Sequence, residues 1–275
     1  MKICTWNVNS LNVRLPHVTD WLTQHRPDIL VLQELKLEHD KFPVAALNMM
    51  GWQCAWSGQK TYNGVAIITK YLWFDAYAEV LGPEFMQRNA PRLLVAIGTP
   101  GYTRQRTEVI GSADGGYKVI LGKVNSLSNE TLSDYEEMTL YYFHTMHHEF
   151  THILNQKKPY NTSFEQVTKS GYVSGDWINT TDRNALRAGF ITPYAMQDPA
   201  EDFAEMLSNY VTYTPQRWAK ALSDAGTHGA ALITQKLALV KDYTLSSWGL
   251  DLDELRDVVL RRGSQISSLE LNKLN

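Results

Sequence analysis

The chain has 275 residues, of which 44% are hydrophobic, 20% charged and 11% aromatic, a balance that excludes intrinsic disorder and allows one large domain or two modest ones. Its formal net charge of −3 provides no overall basic field to attract phosphate backbones, which weighs against nucleic acid as a partner. The two cysteines, Cys4 and Cys54, lack CxxC spacing, so a bound metal would be held by His and carboxylate rather than thiolate.

Residues 2–6 (KICTW) and 29–34 (ILVLQE) are short apolar runs containing β-branched residues. Between them Leu15, Val18, Trp21 and Leu22 recur at helical spacing, so the opening predicts β-α-β. GWQCAWSG and NGVAIITK are two further predicted strands, the second preceded by the turn-forming pair Asn63-Gly64. As far as Lys70 the reading is a small α/β sheet fragment.

This opening resembles the exonuclease III class of apurinic endonucleases, which has the endonuclease/exonuclease/phosphatase fold. The resemblance implies that Asn7 and Glu34 match the first two active-site positions of that class, with Glu34 as its Mg²⁺ carboxylate. Glu34 closes an apolar strand, where α/β sheets build their sites, and a hard carboxylate suits Mg²⁺. The later elements of that class are a Tyr, an Asp-x-Asn and a terminal Ser-Asp-His, and none has a counterpart after Lys70. Without a general base and a leaving-group donor, phosphodiester hydrolysis cannot proceed, so Asn7 and Glu34 read as vestigial.

Beyond Tyr71 the character changes. RLLVAIGT (92–99) and GYKVILGKV (116–124) are predicted strands, with Pro100-Gly101 and Gly115-Gly116 in the loop between them. Ser133 with Glu136 forms a capping-box pattern that opens a long predicted helix through about Asn155. A polar stretch from Lys157 to Asn184 interrupts regular structure, and helices resume at Asp198-Pro199, a good N-cap followed by a residue suited to the first turn. DLDELRDVVLRRG reads as a last helix from Asp251 to a terminating Gly263. The expected class is α+β with a mostly helical C-terminal half.

Inside the long predicted helix stands His148-Glu149-Phe150-Thr151-His152, an HExxH pentapeptide. Spacing of four puts both imidazoles on one helical face, where they can share one Zn²⁺, while Glu149 projects beside them. This is the arrangement that metal-assisted hydrolysis requires: the metal acidifies a water and polarises a carbonyl, and the Glu carries the proton to the leaving amine. His144 and His147 read either as a solvated face or as outer partners of the ligands. A catalytic zinc needs a third protein ligand, and Glu201 and Glu205 lie four apart on a downstream helix, so that one can ligate while the other orients a histidine. On local grounds alone Glu201 would be a capping-box carboxylate to Asp198 and Glu205 a solvated charge; beside an HExxH both readings give way to the metal.

HHEFTHIL with the downstream EDFAE segment resembles the gluzincin-type metallopeptidases, and ITPYAMQDPAEDFAE is similar to the Tyr- and Glu-rich helix of the anthrax lethal factor group. More broadly, residues 71–275 resemble zinc metallohydrolase lipoproteins encoded beside polysaccharide or nutrient import systems in Bacteroidetes, through YLWFDAYAEVLGPEFMQRNAPRLLVAIG, GGYKVILGKVN and LDELRDVVLRR. The resemblance implies a zincin-like domain over 71–275 after a nuclease-like fragment over 1–70, joined near Lys70 and Tyr71. It implies His148, His152 and Glu201 as zinc ligands, Glu149 as general base, Tyr194 as the hydroxyl that steadies the oxyanion, and Glu205 as an outer partner. It also implies peptide or protein substrates, an exported lipoprotein of the bacterial envelope, and outer-membrane import machinery as a partner. The start of the chain lacks a basic segment followed by an apolar run, and no stretch approaches the roughly 20 apolar residues of a membrane span. The strand 116–124 is expected to be the sheet edge that pairs with an extended peptide. The alternatives are a Mg²⁺-dependent repair nuclease using Glu34, and a non-catalytic zinc-bearing accessory protein of an import complex.

Overall fold

The computed structural model describes residues 3–27, 29–50, 52–58, 61–69, 75–82, 85, 88–89, 92–95, 101–102, 108–116, 118–121 and 142–264. The predicted helix start at Ser133 and Glu136, the junction at Lys70 and Tyr71, and the strand ends 96–99 and 122–124 lie outside these residues. The chain forms two compact units, one of Met1–Asp75 with Glu270–Asn275 and one of Ala76–Leu269.

In the first unit, β1 (Ile3–Asn7), α1 (Leu11–His25) and β2 (Ile29–Gln33) form the expected β-α-β, with β1 parallel to β2. A short helix α2 (Val44–Met49) leads into β3 (Gln53–Ser57) and β4 (Val65–Thr69), and the sheet order is β1-β2-β4-β3. Asn63 and Gly64 both have positive φ (55° and 91°) before β4, the conformation that the Asn-Gly pair is chosen for. Leu11, Val18 and Leu22 of α1 are buried against Leu30, Leu32, Ala66 and Ile68 of the sheet, while Leu15 and Trp21 are half-buried at the margin of that core.

The second unit opens with α3 (Asp75–Leu81). Its sheet has the order β5-β9-β8, with β5 (Arg92–Val95) parallel to β9 (Lys118–Leu121) and β8 (Gly111–Asp114) antiparallel to it. β6 (Gly101–Tyr102) and β7 (Glu108–Val109) form a separate two-stranded pair. This corrects the expected edge strand: 118–121 is the middle strand, because the hairpin turn at Gly115-Gly116 folds 111–114 back along it.

The rest of the unit is helical. α4 (His144–Lys157) lies against β8 and β9, and α7 (Pro199–Thr212) lies along α4. Two short helices, α5 (Ser163–Gln166) and α6 (Asp182–Arg187), break up the polar stretch between them. α8 (Pro215–Trp248) is a 34-residue helix broken at Gly226, whose φ of 66° and ψ of 179° lie outside helical space and are accessible to glycine without penalty. In α9 (Leu252–Ser264), Asp251 accepts from the backbone N–H of Asp253 and Glu254, as its capping reading predicts. Gly263, by contrast, is a buried residue within α9 and not its terminator.

α7 and α8 are joined by a wholly buried ion pair. Lys236 Nζ lies 2.5 Å from Asp202 Oδ2 and 3.8 Å from the centroid of the Phe190 ring, and the Tyr172 hydroxyl donates to the same carboxylate oxygen at 2.9 Å. Burial pushes the Asp202 carboxyl up to about 6 and the Lys236 ammonium down, although each partner opposes the other's shift. Lys236→Ala, which strands Asp202, is expected to cost about 3–5 kcal/mol in denaturant unfolding, and the double change Lys236→Met with Asp202→Leu to cost less than the single one. A single-variant cost within about 1 kcal/mol of zero would show that the pair does not anchor these helices.

Candidate metal centre

From Thr145 to Thr151 every residue of α4 is buried, so its polar side chains are confined between the sheet and α7, where a hydrogen-bond partner offsets the cost of burial. His148 has one at each ring nitrogen: Nδ1 lies 2.8 Å from Glu205 Oε1 and Nε2 lies 2.9 Å from Glu201 Oε2. His152 Nε2 lies 3.3 Å from the same Glu201 oxygen and 3.1 Å from His148 Nε2. The two imidazoles thus share one face, as their spacing of four predicts, and Glu201 of a later helix meets them there.

α7 brings in the carboxylates. Asp198 caps it by accepting from the N–H of Ala200 and Glu201 at 2.9 and 3.0 Å, and Pro199 fills the first position. The backbone N–H of Glu201 is thus capped by Asp198, while its side chain turns to the histidines and does not reach back to Asp198 as a capping-box carboxylate would. Glu205, one turn on, is only 3% exposed, which excludes the solvated-charge reading. Its Oε1 faces His148 Nδ1 and, at 3.0 Å, His144 Nε2; its Oε2 accepts from Thr192 Oγ1 at 2.6 Å and Asn209 Nδ2 at 3.2 Å. Burial alone would raise this carboxyl, but the charge and hydrogen bonds of His144 and His148 outweigh it and hold Glu205 well below the usual range. Glu201 behaves alike: burial opposes ionisation, yet the bonds from His148 and His152 bring it down to about 2. In return Glu201 and Glu205 raise His148 well above its ordinary value against the burial that would lower it.

Glu149 is buried beside this group, and that burial raises its carboxyl despite His148 and His152. β8 crosses directly over it. A Cβ on Gly111 would stand 2.7 Å from Glu149 Oε1 and 2.4 Å from Thr145 Cγ2, so only glycine allows this approach. Tyr194 sits on a single helical turn, Tyr194–Met196, with its ring centroid 6.0 Å from His148 and 5.0 Å from Trp177. Burial and then the charges of Glu201 and Glu205 push its hydroxyl far above the ordinary tyrosine value, so it stays a donor. His144 and His147 are resolved as partnered groups and not as a solvated face. His147 Nδ1 lies 2.9 Å from the Tyr77 hydroxyl, and burial with the neighbouring His144 charge holds it down to about 3, keeping it neutral.

Two groups of His and carboxylate atoms have metal-capable spacing among the described residues: His148, His152 and Glu201, and His144, His148 and Glu205. The first fits a catalytic ion better. It uses Nε2 of both histidines, His152 and Glu201 retain 16% and 20% side-chain exposure, and an opening therefore remains for a fourth ligand. In the second, Glu205 is 4% exposed at the side chain and already engaged on both oxygens, which leaves it poorly placed to take an ion. The two nitrogens and one carboxylate oxygen of the first group are the donor set preferred by Zn²⁺.

The other predicted pair lies in the first unit. Asn7 stands opposite Gln33 in the β1–β2 register, so Asn7 and Glu34 occupy the same end of adjacent strands. Asn7 Oδ1 accepts from the N–H of Asn9 at 3.1 Å, and Glu34, with a left-handed φ of 56°, lies 3.8 Å from Lys36 Nζ. Glu34 belongs to neither group of metal-capable residues. Thr192, Asn209 and Gly111 were not anticipated from sequence. Their relevance arises from tertiary contact, and nothing in their local spacing marks it.

Comparison with known proteins finds similarities of two kinds. A stretch of 70 residues is 33% identical to exodeoxyribonuclease III of Haemophilus influenzae and covers 26% of each chain, so the present chain spans about a quarter of that curated relative. A 3'-5' exonuclease from Neisseria meningitidis is 72% identical over 26% of this chain and 28% of its own, at a TM-score of 0.26. The crystal structure of a protein from Bacteroides caccae, described as a "putative zinc-binding metallo-peptidase", is similar at 38% identity and a TM-score of 0.62, over 74% of this chain and 76% of its own. Residues 57–253, which include His148, Glu149, His152, Tyr194, Glu201 and Glu205, match the family model described as "Putative zinc-binding metallo-peptidase", and the chain belongs to that family.

Proposed function

We propose that this protein is a zinc-dependent peptidase of zincin-like architecture that hydrolyses peptide bonds. The observation that carries the reading is the convergence of His148 Nε2, His152 Nε2 and Glu201 Oε2 within 3.3 Å of one another, with Glu149 buried alongside. His148, His152 and Glu201 would hold the ion, and Glu205 keeps His148 oriented by accepting its Nδ1–H. When bound, zinc supplies Lewis acidity, bringing the pKa of water toward about 7 and polarising a carbonyl oxygen. Glu149 takes the proton of the attacking water and returns it to the leaving amine, a role helped by the upward shift that burial gives its carboxyl. Tyr194 stays protonated and donates to the developing oxyanion. β8 is the outermost strand beside α4 among the described residues, and an extended peptide is placed along it. The resemblance to envelope lipoproteins motivates placing the protein at the bacterial cell envelope, beside import machinery. The two resemblances read from the sequence motivate placing a join between segments of different descent near Lys70 and Tyr71, although the family match begins earlier, at residue 57.

A second reading, a Mg²⁺-dependent nuclease, is favoured by the nuclease-like 70 residues and by Glu34 at a strand end. It predicts cleavage of an abasic duplex with Mg²⁺ that is lost in Glu34→Ala; the peptidase reading predicts no such cleavage. Glu149→Gln is expected to retain about one zinc per chain by mass spectrometry and to lose about 10²–10⁴-fold in peptide hydrolysis. Retained hydrolysis in that variant would remove Glu149 from the role of base. In chelator competition, Glu205→Gln is expected to weaken zinc affinity by about 10–100-fold while the fold persists. Unchanged affinity would show that Glu205 does not orient His148. Zinc binding with no cleavage of any peptide or protein would favour a non-catalytic accessory role.

A further inference from the structure

Thr192 precedes the turn that carries Tyr194 and is half-buried. Its hydroxyl makes two contacts that belong to different parts of the site. Oγ1 donates to Glu205 Oε2 at 2.6 Å and accepts from the backbone N–H of Ala195 at 3.2 Å. A hydroxyl has one proton and two lone pairs, so both bonds coexist. The first bond completes a carboxylate whose other oxygen fixes His148 through Nδ1. The second closes the turn Tyr194–Met196, which is also held by the Met196 N–H bond to Pro193 O at 3.0 Å.

We propose that Thr192 is a positioning residue, a single hydroxyl that sets both the orientation of His148, through Glu205, and the placement of Tyr194, through the Ala195 N–H. The proposal rests on the peptidase reading of this site. Among the described residues Asn209 is the other side chain bonded to Glu205 Oε2, at 3.2 Å, so among them loss of the Thr192 bond leaves this buried carboxylate oxygen with its longer contact. A buried acceptor short of a donor reorients or draws in water, and the imidazole fixed by its partner oxygen follows. The same deletion releases the N–H that anchors the tyrosine turn. Val keeps the branched shape of Thr without the hydroxyl, whereas Ser keeps the hydroxyl without the methyl, so the two variants separate hydrogen bonding from packing.

The test uses the full chain with Thr192→Val, Thr192→Ser and Tyr194→Phe, alone and with Thr192→Val combined with Tyr194→Phe. In Thr192→Val, zinc release to excess chelator is expected to be about tenfold faster than in the wild type, and in Thr192→Ser to be within about twofold of it. With zinc saturating, Thr192→Val is expected to lower kcat about tenfold in the wild-type background, with KM nearly unchanged, and to lower it much less once the Tyr194 hydroxyl is gone. Zinc release at the wild-type rate overturns the proposal, as does an equal kcat loss in both backgrounds or a Ser variant as impaired as the Val variant. If the wild type binds zinc but cleaves nothing, the peptidase reading falls, while the zinc-release comparison of the Val and Ser variants still decides the Thr192 anchor.

Discussion

The arrangement of the second unit depends on one buried carboxylate. Glu205 sits between α4 and α7 and is engaged on both oxygens, by His148 and His144 on one and by Thr192 and Asn209 on the other. A buried charge is tolerated only when it is fully hydrogen-bonded, so this residue dictates which faces of the two helices meet. With His148 Nδ1 committed to Glu205, Nε2 points to Glu201 and His152. The convergence of His148, His152 and Glu201 is therefore a consequence of helix packing.

Several features of this site were legible in the sequence because they follow helical period. Four-residue spacing places His148 with His152 and Glu201 with Glu205 on shared faces, and Asp198-Pro199 marks where α7 begins. The structure departs from the reading where spacing has no bearing. Helical period alone leaves Glu205 a surface charge; its reading as an outer partner of a histidine comes from the HExxH and the resemblance, and the structure places it 2.8 Å from His148 Nδ1. The same holds for His147, whose hydroxyl partner Tyr77 is 70 residues away in sequence. Gly111-Ser112-Ala113-Asp114 has no β-branched or aromatic residue, so local pattern reads it as loop and leaves its neighbour β9 as the edge, whereas the structure makes it strand β8. Gly263 carries a terminator's identity but is buried within α9, where tertiary packing overrides the local signal.

The two units differ in chemical completeness. The first forms a four-stranded sheet with its own core and keeps Asn7 and Glu34 at one end of adjacent strands. Among the described residues it gathers no group of metal-capable side chains, and the nuclease elements expected to follow Glu34 have no counterpart after Lys70. The second unit contains both such groups, a base candidate and a protonated tyrosine within one packed layer of helices. No described helix is long and apolar enough to cross a membrane.

The proposed metal centre consists of His148, His152 and Glu201, with Glu205 held back to orient it. Anomalous difference maps from crystals of the zinc-loaded protein, recorded on both sides of the zinc edge, test this directly. The account predicts one peak at about 2.0–2.2 Å from Nε2 of His148, Nε2 of His152 and a Glu201 oxygen. A peak between His144 and Glu205, or a zinc-loaded chain with no peak at the His148, His152 and Glu201 site, would contradict it.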